Sequence, residues 1–321
     1  MRWRGLYYYI NKVRGAIFGA AVGDALGVPY EFEDRESMQA HPATDMVGHG
    51  TYHMPSGTWS DDTSMILCTL DKLDSSVDHS AIMSAFVAWN SKGEYTPFGN
   101  CFDIGFTTAL ALQNYRKGID PLDCGLDDER SNGNGSLMRI IPAALYIAAH
   151  GLNAQESTEL VHGLSALTHA HLRSKIGCGI FTHIALELIK NNDKSSVFKG
   201  IKNAAEIYAD SVYNEEIQHY ERVFREDFAA LPIDAIKSSG YVVDTLECAV
   251  WSLLNTDNYR DCVLTAVNFG ADTDTAACVA GALAGLLYGV DGIPSEWMKK
   301  LRRSEFIDEM IEGFCRRNEI N

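Results

Sequence analysis

The chain has 321 residues, of which 46% are hydrophobic, a share that is ordinary for a globular protein and argues against disorder. Its 27 basic and 43 acidic residues give a formal charge of −16 at pH 7. Because duplex nucleic acid is bound through Lys and Arg side chains that neutralise phosphates, this charge argues against a nucleic-acid partner. An anionic small molecule would need metal cations or helix N-termini to meet it.

The eight cysteines include no C-x-x-C pair, and several of them fall within apolar helical runs. This pattern predicts reduced, buried thiols in a cytoplasmic protein. The N-terminal segment loosely resembles a signal peptide, but Asp24 interrupts its apolar run, which is also too short to span a bilayer. We therefore expect a cytoplasmic protein with no membrane-spanning segment.

Apolar residues recur at three- and four-residue spacing through most of the chain, and convincing alternating strand patterns are absent. This periodicity predicts an all-α protein. One clear row of apolar residues runs from Ile176 to Leu188, and Asn191-Asn192-Asp193 then indicates a helix break. Since no low-complexity linker divides the chain, we expect one domain over residues 1–321.

Glycine recurs every four residues on the first predicted helix, at Gly15, Gly19, Gly23 and Gly27. A shorter series of the same spacing follows near the end of the chain, at Gly281, Gly285 and Gly289. Each glycine inside a helix costs about 0.5–1 kcal/mol relative to alanine. We therefore expect these bare helix faces to allow close backbone approach, either to another helix or to a ligand.

The segment Gly23–Glu31 ends the first helix and carries an acid on either side of a tight exit. In one interpretation Gly27 is a C-terminal helix stop and Glu31 is solvated. In the other, Glu31 enters a cleft as a general acid or base, or orients a ligand hydroxyl.

Two short acidic segments each precede a predicted helix. Ser60-Asp61-Asp62-Thr63 precedes Met65–Leu73, and Asp272-Thr273-Asp274-Thr275 precedes Ala276–Tyr288. Helix capping explains one acid at each start, but adjacent carboxylates repel each other unless a cation lies between them. Hard divalent cations such as Mg²⁺ prefer oxygen ligands. The sequence thus leaves two interpretations open, helix caps or two halves of one metal site.

A Gly/Asn-rich loop, Ser131-Asn132-Gly133-Asn134-Gly135-Ser136, leads into a helix predicted to begin near Leu137. Exposed backbone N–H groups in such a loop can bind phosphate, whereas the plainer interpretation is a turn with an N-cap. It is not a Walker loop, since no Gly-Lys-Ser/Thr follows, and no strand precedes it as in a dinucleotide-binding fold.

Two further motifs carry polar or aromatic side chains. The histidines of Thr168-His169-Ala170-His171 are spaced i, i+2 and share no helix face, which argues against zinc. One of them can contact a ligand, or both can be surface or capping residues. In Ser238-Ser239-Gly240-Tyr241, which opens a helix predicted over Val242–Leu254, the tyrosine either stacks on a base or packs in the core.

Taken together and in order, these motifs resemble the ADP-ribosylglycohydrolase family, which includes the dinitrogenase reductase-activating glycohydrolases of bacteria. The matching segments are Gly23–Glu31, Ser60–Met65, Asn132–Arg139, Thr168–His171, Gly240–Leu246 and Gly270–Thr275. The resemblance implies a single compact, orthogonally packed all-α bundle with a binuclear Mg²⁺ or Mn²⁺ centre. Judged by the bacterial members, the resemblance favours arginine as the residue that carries the ADP-ribose.

The resemblance also assigns roles to residues. The implied metal ligands are Ser60, Asp61, Asp62, Asp272, Asp274 and Thr275; many family members have Thr at the first position, where this chain has Ser. The implied diphosphate cradle is the loop Asn132, Gly133, Asn134, Gly135 and Ser136. Glu31 would lie near the scissile ribose, Tyr241 would stack near the adenine, and His171 would line the same cleft.

The implied activity is hydrolysis of the glycosidic bond between ADP-ribose and a modified protein side chain, with release of ADP-ribose. The transition state would be oxocarbenium-like, with Asp62 or Glu31 as the proton-transfer group, a choice that the sequence leaves open. Two alternatives remain, a non-catalytic ADP-ribose-binding member of the fold and a different two-metal phosphoesterase. Serine, a nucleobase or a small metabolite can replace arginine as the acceptor, and the oligomeric state is open.

Overall fold

The computed structural model describes residues 2–320, with side chains described from Tyr8 onward. Fifteen α-helices occur within this range and no β-strand does. In chain order, α1 to α8 are Arg2–Gly27, Arg35–Ala40, Asp61–Lys72, His79–Lys92, Phe106–Arg116, Ile141–His150, Ala154–Ala166 and Leu172–Lys190. The remaining helices, α9 to α15, are Ser195–Ile207, Asn214–Ile217, Val242–Leu254, Tyr259–Val267, Thr273–Tyr288, Ser295–Lys300 and Ser304–Arg317.

The predicted all-α fold is confirmed, and several predicted helices agree closely with the structure. Helix α11 has the predicted bounds, and the predicted break falls between the end of α8 at Lys190 and the start of α9 at Ser195. The prediction of one domain over 1–321 includes Met1 and Asn321, which lie outside the described residues, and it stays a prediction. No helix in the described part of the chain is long and apolar enough to cross a membrane.

Three helix starts differ from the prediction, because α3 begins at Asp61 and α13 at Thr273, inside the acidic segments, and α6 begins later than expected. The loop 131–136 does not run directly into a helix, because residues 135–139 form turns and α6 begins only at Ile141. Proline lacks a backbone N–H donor and is tolerated only in the first helical turn. Pro142 therefore sets the start of α6, and Leu137 to Arg139 belong to the turn segment instead.

The glycine faces pack the antiparallel pair of helices α1 and α13. A Cβ atom on Gly15, Gly19 or Gly23 would lie 2.3, 2.3 or 2.0 Å from the carbonyl oxygen of Gly285, Gly281 or Ala277 respectively. These distances leave no room for a side chain, so the expected close approach to another helix is confirmed. The pairing brings the C-terminal end of α1 against the N-terminal end of α13, where a Cβ on Gly27 would lie 2.3 Å from Cα of Asp274.

Two backbone contacts complete the frame around this helix junction. Residues after α1 pair with the segment before α13, since Phe32 N–H donates to Ala271 O at 2.7 Å and Ala271 N–H donates to Glu33 O at 2.6 Å. The loop 131–136 pairs with the start of α11, since Asn134 N–H donates to Gly240 O and Val242 N–H donates to Asn132 O, both at 3.0 Å. Four of the sequence motifs therefore meet at one end of the α1–α13 pair.

Candidate active site and metal centre

The two acidic segments converge at this junction. The hydroxyl of Thr275 donates to Oδ2 of Asp62 at 3.3 Å, which joins the start of α13 to the start of α3. Asp24, near the end of α1, accepts from the backbone N–H groups of Ser60 and Thr63 at 2.9 and 3.0 Å. These hydrogen bonds hold the end of α1 and the starts of α3 and α13 together, and they thereby fix the positions of the carboxylates on these helix ends.

Capping explains only part of this arrangement. The hydroxyl of Ser60 is the N-cap of α3 and accepts from the backbone N–H of Asp62 at 3.3 Å. Asp272 occupies the N-cap position of α13, but its side chain makes no capping hydrogen bond. The remaining acids, Asp61, Asp62 and Asp274, are buried and lie inside the helices. Because each uncompensated buried charge is costly, such carboxylates are either protonated or neutralised by a cation.

The carboxylates form two groups with metal-binding spacing. One group is Asp24, Asp62 and Asp274, and the other is Glu31, Asp272 and Asp274; within each group one oxygen from each residue lies within 4.8 Å of the others. Asp274 belongs to both groups. This arrangement is suited to two adjacent cations with a shared carboxylate, although both oxygens of Asp24 already accept hydrogen bonds from the start of α3.

The hydrogen-bonding state of these oxygens supports the same conclusion. Four buried carboxylate oxygens have no hydrogen-bond donor, namely Glu31 Oε2, Asp62 Oδ1, Asp272 Oδ1 and Asp274 Oδ2. Within the described chain, no Lys or Arg side chain forms an ion pair with any of these carboxylates. A buried oxygen without a donor or counter-charge is expected to coordinate a metal ion or an ordered water. The residues therefore fit divalent cations.

Burial and mutual repulsion both weaken the acidity of these carboxyl groups. Burial, reinforced by neighbouring carboxylates, raises the pKa of Asp61, Asp62 and Asp274 well above the usual range. Burial, and then the charge of Asp103, raises the pKa of Glu31 to about 8. Two opposing effects determine whether these acids ionise, since burial disfavours the carboxylate while a nearby cation favours it.

A cavity of about 350 Å³ opens directly above this cluster. The acidic part of its wall is formed by Glu31, Asp61, Asp103 and Asp272, beside the hydroxyl-bearing Thr275. Asp62 and Asp274 lie below this wall and are almost completely buried. Two larger cavities, of about 710 and 540 Å³, lie elsewhere on the molecule and contain none of these carboxylates. The smaller cavity is the candidate active site because it alone among the three is lined by carboxylates of the uncompensated cluster.

Two acids of the site were not predicted from the sequence as site residues. Asp24 lies within the helical motif 23–31, but nothing in that motif shows that it contacts Ser60 and Thr63. Asp103 stands alone in the loop before α5, where its φ of +55° and its burial next to the cluster come only from the fold. The sequence signal for Asp103 is weak, since one acid in a loop is ordinary and its neighbours Phe102 and Ile104 carry no specific chemistry.

The opposite wall of the cavity contains part of the predicted diphosphate loop. Gly133, Asn134 and Gly135 line it, and the backbone N–H groups of Gly133, Gly135 and Ser136 donate to no other described residue. The side chain of Asn134 donates to Oδ2 of Asp272 at 2.9 Å, which ties the loop to the acidic cluster. A loop with free amides beside a cation site is suited to an anionic ligand.

Two side chains of this loop point elsewhere. The amide oxygen of Asn132 accepts from the hydroxyl of Ser174 at 3.1 Å, and the hydroxyl of Ser136 accepts from that of Ser165 at 2.9 Å. Both residues are buried. Only the backbone groups of Asn132 and Ser136 therefore remain for the predicted contact with substrate. This contact stays a prediction.

The structure places His169, rather than His171, in the wall of the cavity. His171 caps α8, where its Nδ1 accepts from the N–H of Arg173 at 3.2 Å. The guanidinium of Arg173 lies 5.9 Å from the ring centroid of Tyr241. Ligand contacts by His171 and Tyr241 stay predictions, and Tyr241 is half-buried beside the loop that it was expected to accompany.

Glu129, His171 and Glu216 form a third group with metal-binding spacing. Arg173 already supplies its positive charge, with contacts of 2.8 Å to Glu129 and 2.7 Å to Glu216. This group is therefore an ion-pair network that braces the start of α8, and it differs from the uncompensated cluster in the cavity.

Comparison with known proteins places nearly the whole chain in one family. The family described as ADP-ribosylglycohydrolase matches residues 7–320. An ADP-ribosylarginine hydrolase Tri1 from Pseudomonas putida (strain GB-1) is 34% identical over 310 residues, which cover 94% of this chain and 77% of that protein. An ADP-ribosyl-[dinitrogen reductase] glycohydrolase from Rhodospirillum rubrum is 30% identical, covering 91% of this chain and 90% of that one.

A solved structure titled ADP-ribosylglycohydrolase-related protein complex superposes with a TM-score of 0.80 at 26% identity. The superposition covers 97% of this chain and 99% of the other. Sequence and structure comparisons therefore agree over nearly the whole chain, and the residues that the family model matches include every segment that contributes to the cavity.

Proposed function

The chain belongs to the ADP-ribosylglycohydrolase family, and on that premise we propose that it releases ADP-ribose from modified arginine side chains in a reaction that requires divalent cations. The chain is thus a hydrolase that acts on glycosyl bonds. The observation that carries the metal requirement is the convergence of buried, donor-free carboxylates from α3 and α13 on one cavity.

The residues that would hold the cations are Ser60, Asp61, Asp62, Asp272, Asp274 and Thr275, with Asp274 as the ligand shared between two sites. Cations bound there, Mg²⁺ or Mn²⁺, would supply positive charge that makes an anionic ligand tolerable and would act as Lewis acids toward ligand oxygens. The free amides of Gly133 and Gly135 would bind the diphosphate, and Tyr241 would stack near the adenine.

The two candidate proton-transfer groups differ in position. Glu31 lines the cavity and has a free oxygen, Oε2, whereas Asp62 is buried behind the wall and accepts hydrogen bonds from Ser60 and Thr275. A group that exchanges a proton with water or with a leaving group must reach it. We therefore assign proton transfer to Glu31 and cation binding to Asp62. Asp103, on the same wall, holds a second carboxylate near Glu31.

The residues at the mouth of the cavity support arginine as the side chain that carries the ADP-ribose. Phe32 and Phe106 line the cavity, yet 71% and 77% of their surfaces are exposed. Phe32 also has a φ of +68°, an unfavourable conformation for a bulky residue, which the backbone bonds to residue 271 maintain. Exposed rings beside the carboxylates of Glu31 and Asp103 suit a flat cation, because a guanidinium packs on aromatic faces.

The test is incubation of an ADP-ribosylated arginine peptide with the enzyme, in Mg²⁺ or in chelator, followed by analysis of the products. We expect free ADP-ribose and unmodified arginine in Mg²⁺, and no release in chelator. Tight binding of ADP-ribose without release would favour the non-catalytic alternative. Release of AMP would favour the phosphoesterase and would exclude the glycohydrolase. An ADP-ribosylated serine peptide, run in parallel, decides the acceptor.

A further inference from the structure

Arg139 is a buried cation without a counter-ion. Its side chain is fully buried, and its described hydrogen bonds join Nη2 to Leu164 O at 3.0 Å and to the hydroxyl of Thr168 at 2.8 Å. Nε and Nη1 have no acceptor, and the guanidinium lies 4.8 Å from the ring centroid of Phe86. Burying an unpaired charge costs several kcal/mol, so core packing alone does not account for this residue.

Arg139 is linked to the candidate active site through two side chains. The hydroxyl oxygen of Thr168 lies 2.9 Å from Nδ1 of His169. His169 lines the cavity, and its Nε2 would lie 3.5 and 3.3 Å from Cβ atoms built on Gly133 and Gly135. A path of hydrogen bonds therefore runs from the core, through Thr168, to His169, whose ring lies beside the loop that faces the cavity.

The hydrogen-bond directions along this path are fixed by Arg139. A guanidinium only donates, so Thr168 must accept from Nη2. The hydroxyl hydrogen of Thr168 is then free to donate, and Nδ1 of His169 is the acceptor within reach. If Nδ1 carried a hydrogen instead, the buried hydroxyl would receive two donors and its own hydrogen would have no acceptor. Nδ1 is consequently bare, and the ring hydrogen is on Nε2.

The surroundings also keep the ring neutral. Burial, and then the nearby charge of Arg139, lowers the pKa of His169 to about 3. The same burial lowers the pKa of Arg139 only to about 10, so the guanidinium remains charged at neutral pH. Nε2 donates to no other described residue, which leaves its N–H available to a ligand in the cavity.

We propose that Arg139 is a positioning residue that acts through Thr168 to hold His169 in its Nε2–H tautomer, with that N–H directed at an oxygen of bound ADP-ribose. The identity of the ligand rests on the proposed function, whereas the tautomer does not. Arg139 and Thr168 touch no substrate in this arrangement. Their effect is to make His169 a donor of fixed direction instead of a ring that exchanges between two tautomers.

The test is a long-range ¹H–¹⁵N spectrum of the histidine rings in the Mg²⁺-loaded enzyme without ligand, with His169 assigned by comparison with His169→Gln. We expect a neutral ring with pyrrole-type Nε2 and pyridine-type Nδ1 at pH 6 to 8. Thr168→Val, which removes only the hydroxyl, should introduce the Nδ1–H form and weaken ADP-ribose binding about 10-fold. The matched variant Thr168→Ser should keep both the spectrum and the affinity within about twofold.

Arg139→Met is the second variant for the same spectroscopic test. Without the guanidinium donor, Thr168 can accept from Nδ1–H, so we expect both tautomers to appear. A wild-type ring with Nδ1–H, a cationic ring at pH 7, or an unchanged spectrum in Arg139→Met would overturn the proposal. Because the wild-type spectrum needs only His169→Gln for its assignment, an unstable Thr168→Val or Arg139→Met does not prevent a decision. An enzyme with the expected tautomer that releases no ADP-ribose would refute the proposed function alone.

Discussion

The hydroxyl of Thr275 donates a hydrogen bond to Oδ2 of Asp62, at 3.3 Å and across 213 positions of the chain. This contact joins the two acidic segments and places the start of α13 against the start of α3. The close glycine packing of α1 on α13 makes the contact possible, because it sets the end of α1 directly beside Asp274. The fold and the candidate metal centre therefore depend on the same helix pair.

Cation binding should stabilise the protein strongly. In Mg²⁺ at about 100 times its Kd, we expect the free energy of unfolding to rise by about 2.7 kcal/mol relative to chelator. The reason is that the unfolded chain does not hold the carboxylates together. Thermal unfolding with and without chelator measures the difference. Na⁺ at equal ionic strength is the control, and an equal shift from Na⁺ would point to screening instead of a site.

Asp62→Asn should separate stability from activity. Removing one of several mutually repelling carboxylates should raise the melting temperature of the chelated enzyme, while the Mg²⁺-induced rise becomes smaller and ADP-ribose release falls by more than about 100-fold. Asp127→Asn, at an exposed acid, is the matched control and should change neither property. If Asp62→Asn were both less stable in chelator and fully active, the assignment of Asp62 to a cation site would be wrong.

The chelated enzyme should become more stable as the pH falls from 8.5 to 6.5. Folding raises the pKa of Glu31 to about 8 and raises those of Asp61, Asp62 and Asp274 well above their usual range, so protonation favours the folded state and stability is lost as the pH rises through 8. Below about pH 6.5 the rise should become less steep, because burial lowers the pKa of His162 and His169 and only the unfolded chain protonates them readily. Melting temperatures across this range in chelator test the expectation.

In Mg²⁺ the rise in stability toward pH 6.5 should disappear, because the cations bind the ionised carboxylates and compete with protons. A chelated enzyme that is more stable at pH 8.5 than at pH 6.5 would show that these acids are not mutually repelling in the folded state.

Gly19→Ala should destabilise the fold. The new Cβ would lie 2.3 Å from the carbonyl oxygen of Gly281, so α1 and α13 must separate, at a cost of about 3 kcal/mol or more. Gly105→Ala is the control, since its φ is −61° and the nearest atom to a new Cβ lies 4.0 Å away. Chemical denaturation compares the two. Equal stability of both variants would contradict the close packing.

The exposed rings at the cavity mouth should contribute to recognition of the modified arginine and not to binding of ADP-ribose. We expect Phe32→Ala and Phe106→Ala each to lower kcat/KM for an ADP-ribosylated arginine peptide about 10-fold. The Kd for free ADP-ribose, which lacks the guanidinium, should change less than about twofold. Phe198→Ala removes a ring that is 43% exposed on α9 and serves as the control. Equal losses for peptide and for ADP-ribose would place the rings in the ADP-ribose site instead.

The sequence predicted the helical fold and the segments that meet at the cavity, because apolar periodicity and clustered acids are local signals. It left open whether Glu31 is solvated, and the structure answers this by placing Glu31 in the cavity wall. Asp24 and Asp103 were missed as site residues because each is a lone acid whose significance comes from neighbours distant in the chain.

The two histidines show why orientation is harder to predict than position. His169 and His171 alternate in direction, and which of them enters the cavity depends on the backbone pairing of Leu126 with Thr168 and Ala170. This pairing joins segments about 40 residues apart and has no local signature. Arg139 is a similar case. The sequence shows the motif that contains Arg139, but it does not show the link from Arg139 through Thr168 to His169.

The measurement that tests the central claim most directly is the anomalous scattering of Mn²⁺ in crystals grown with that ion. The account predicts two Mn²⁺ peaks between the starts of α3 and α13, with oxygens of Asp62 and Asp274 among their ligands. A crystal that binds Mn²⁺ only elsewhere, or an enzyme that releases ADP-ribose at full rate with no Mn²⁺ or Mg²⁺ at this position, would contradict it.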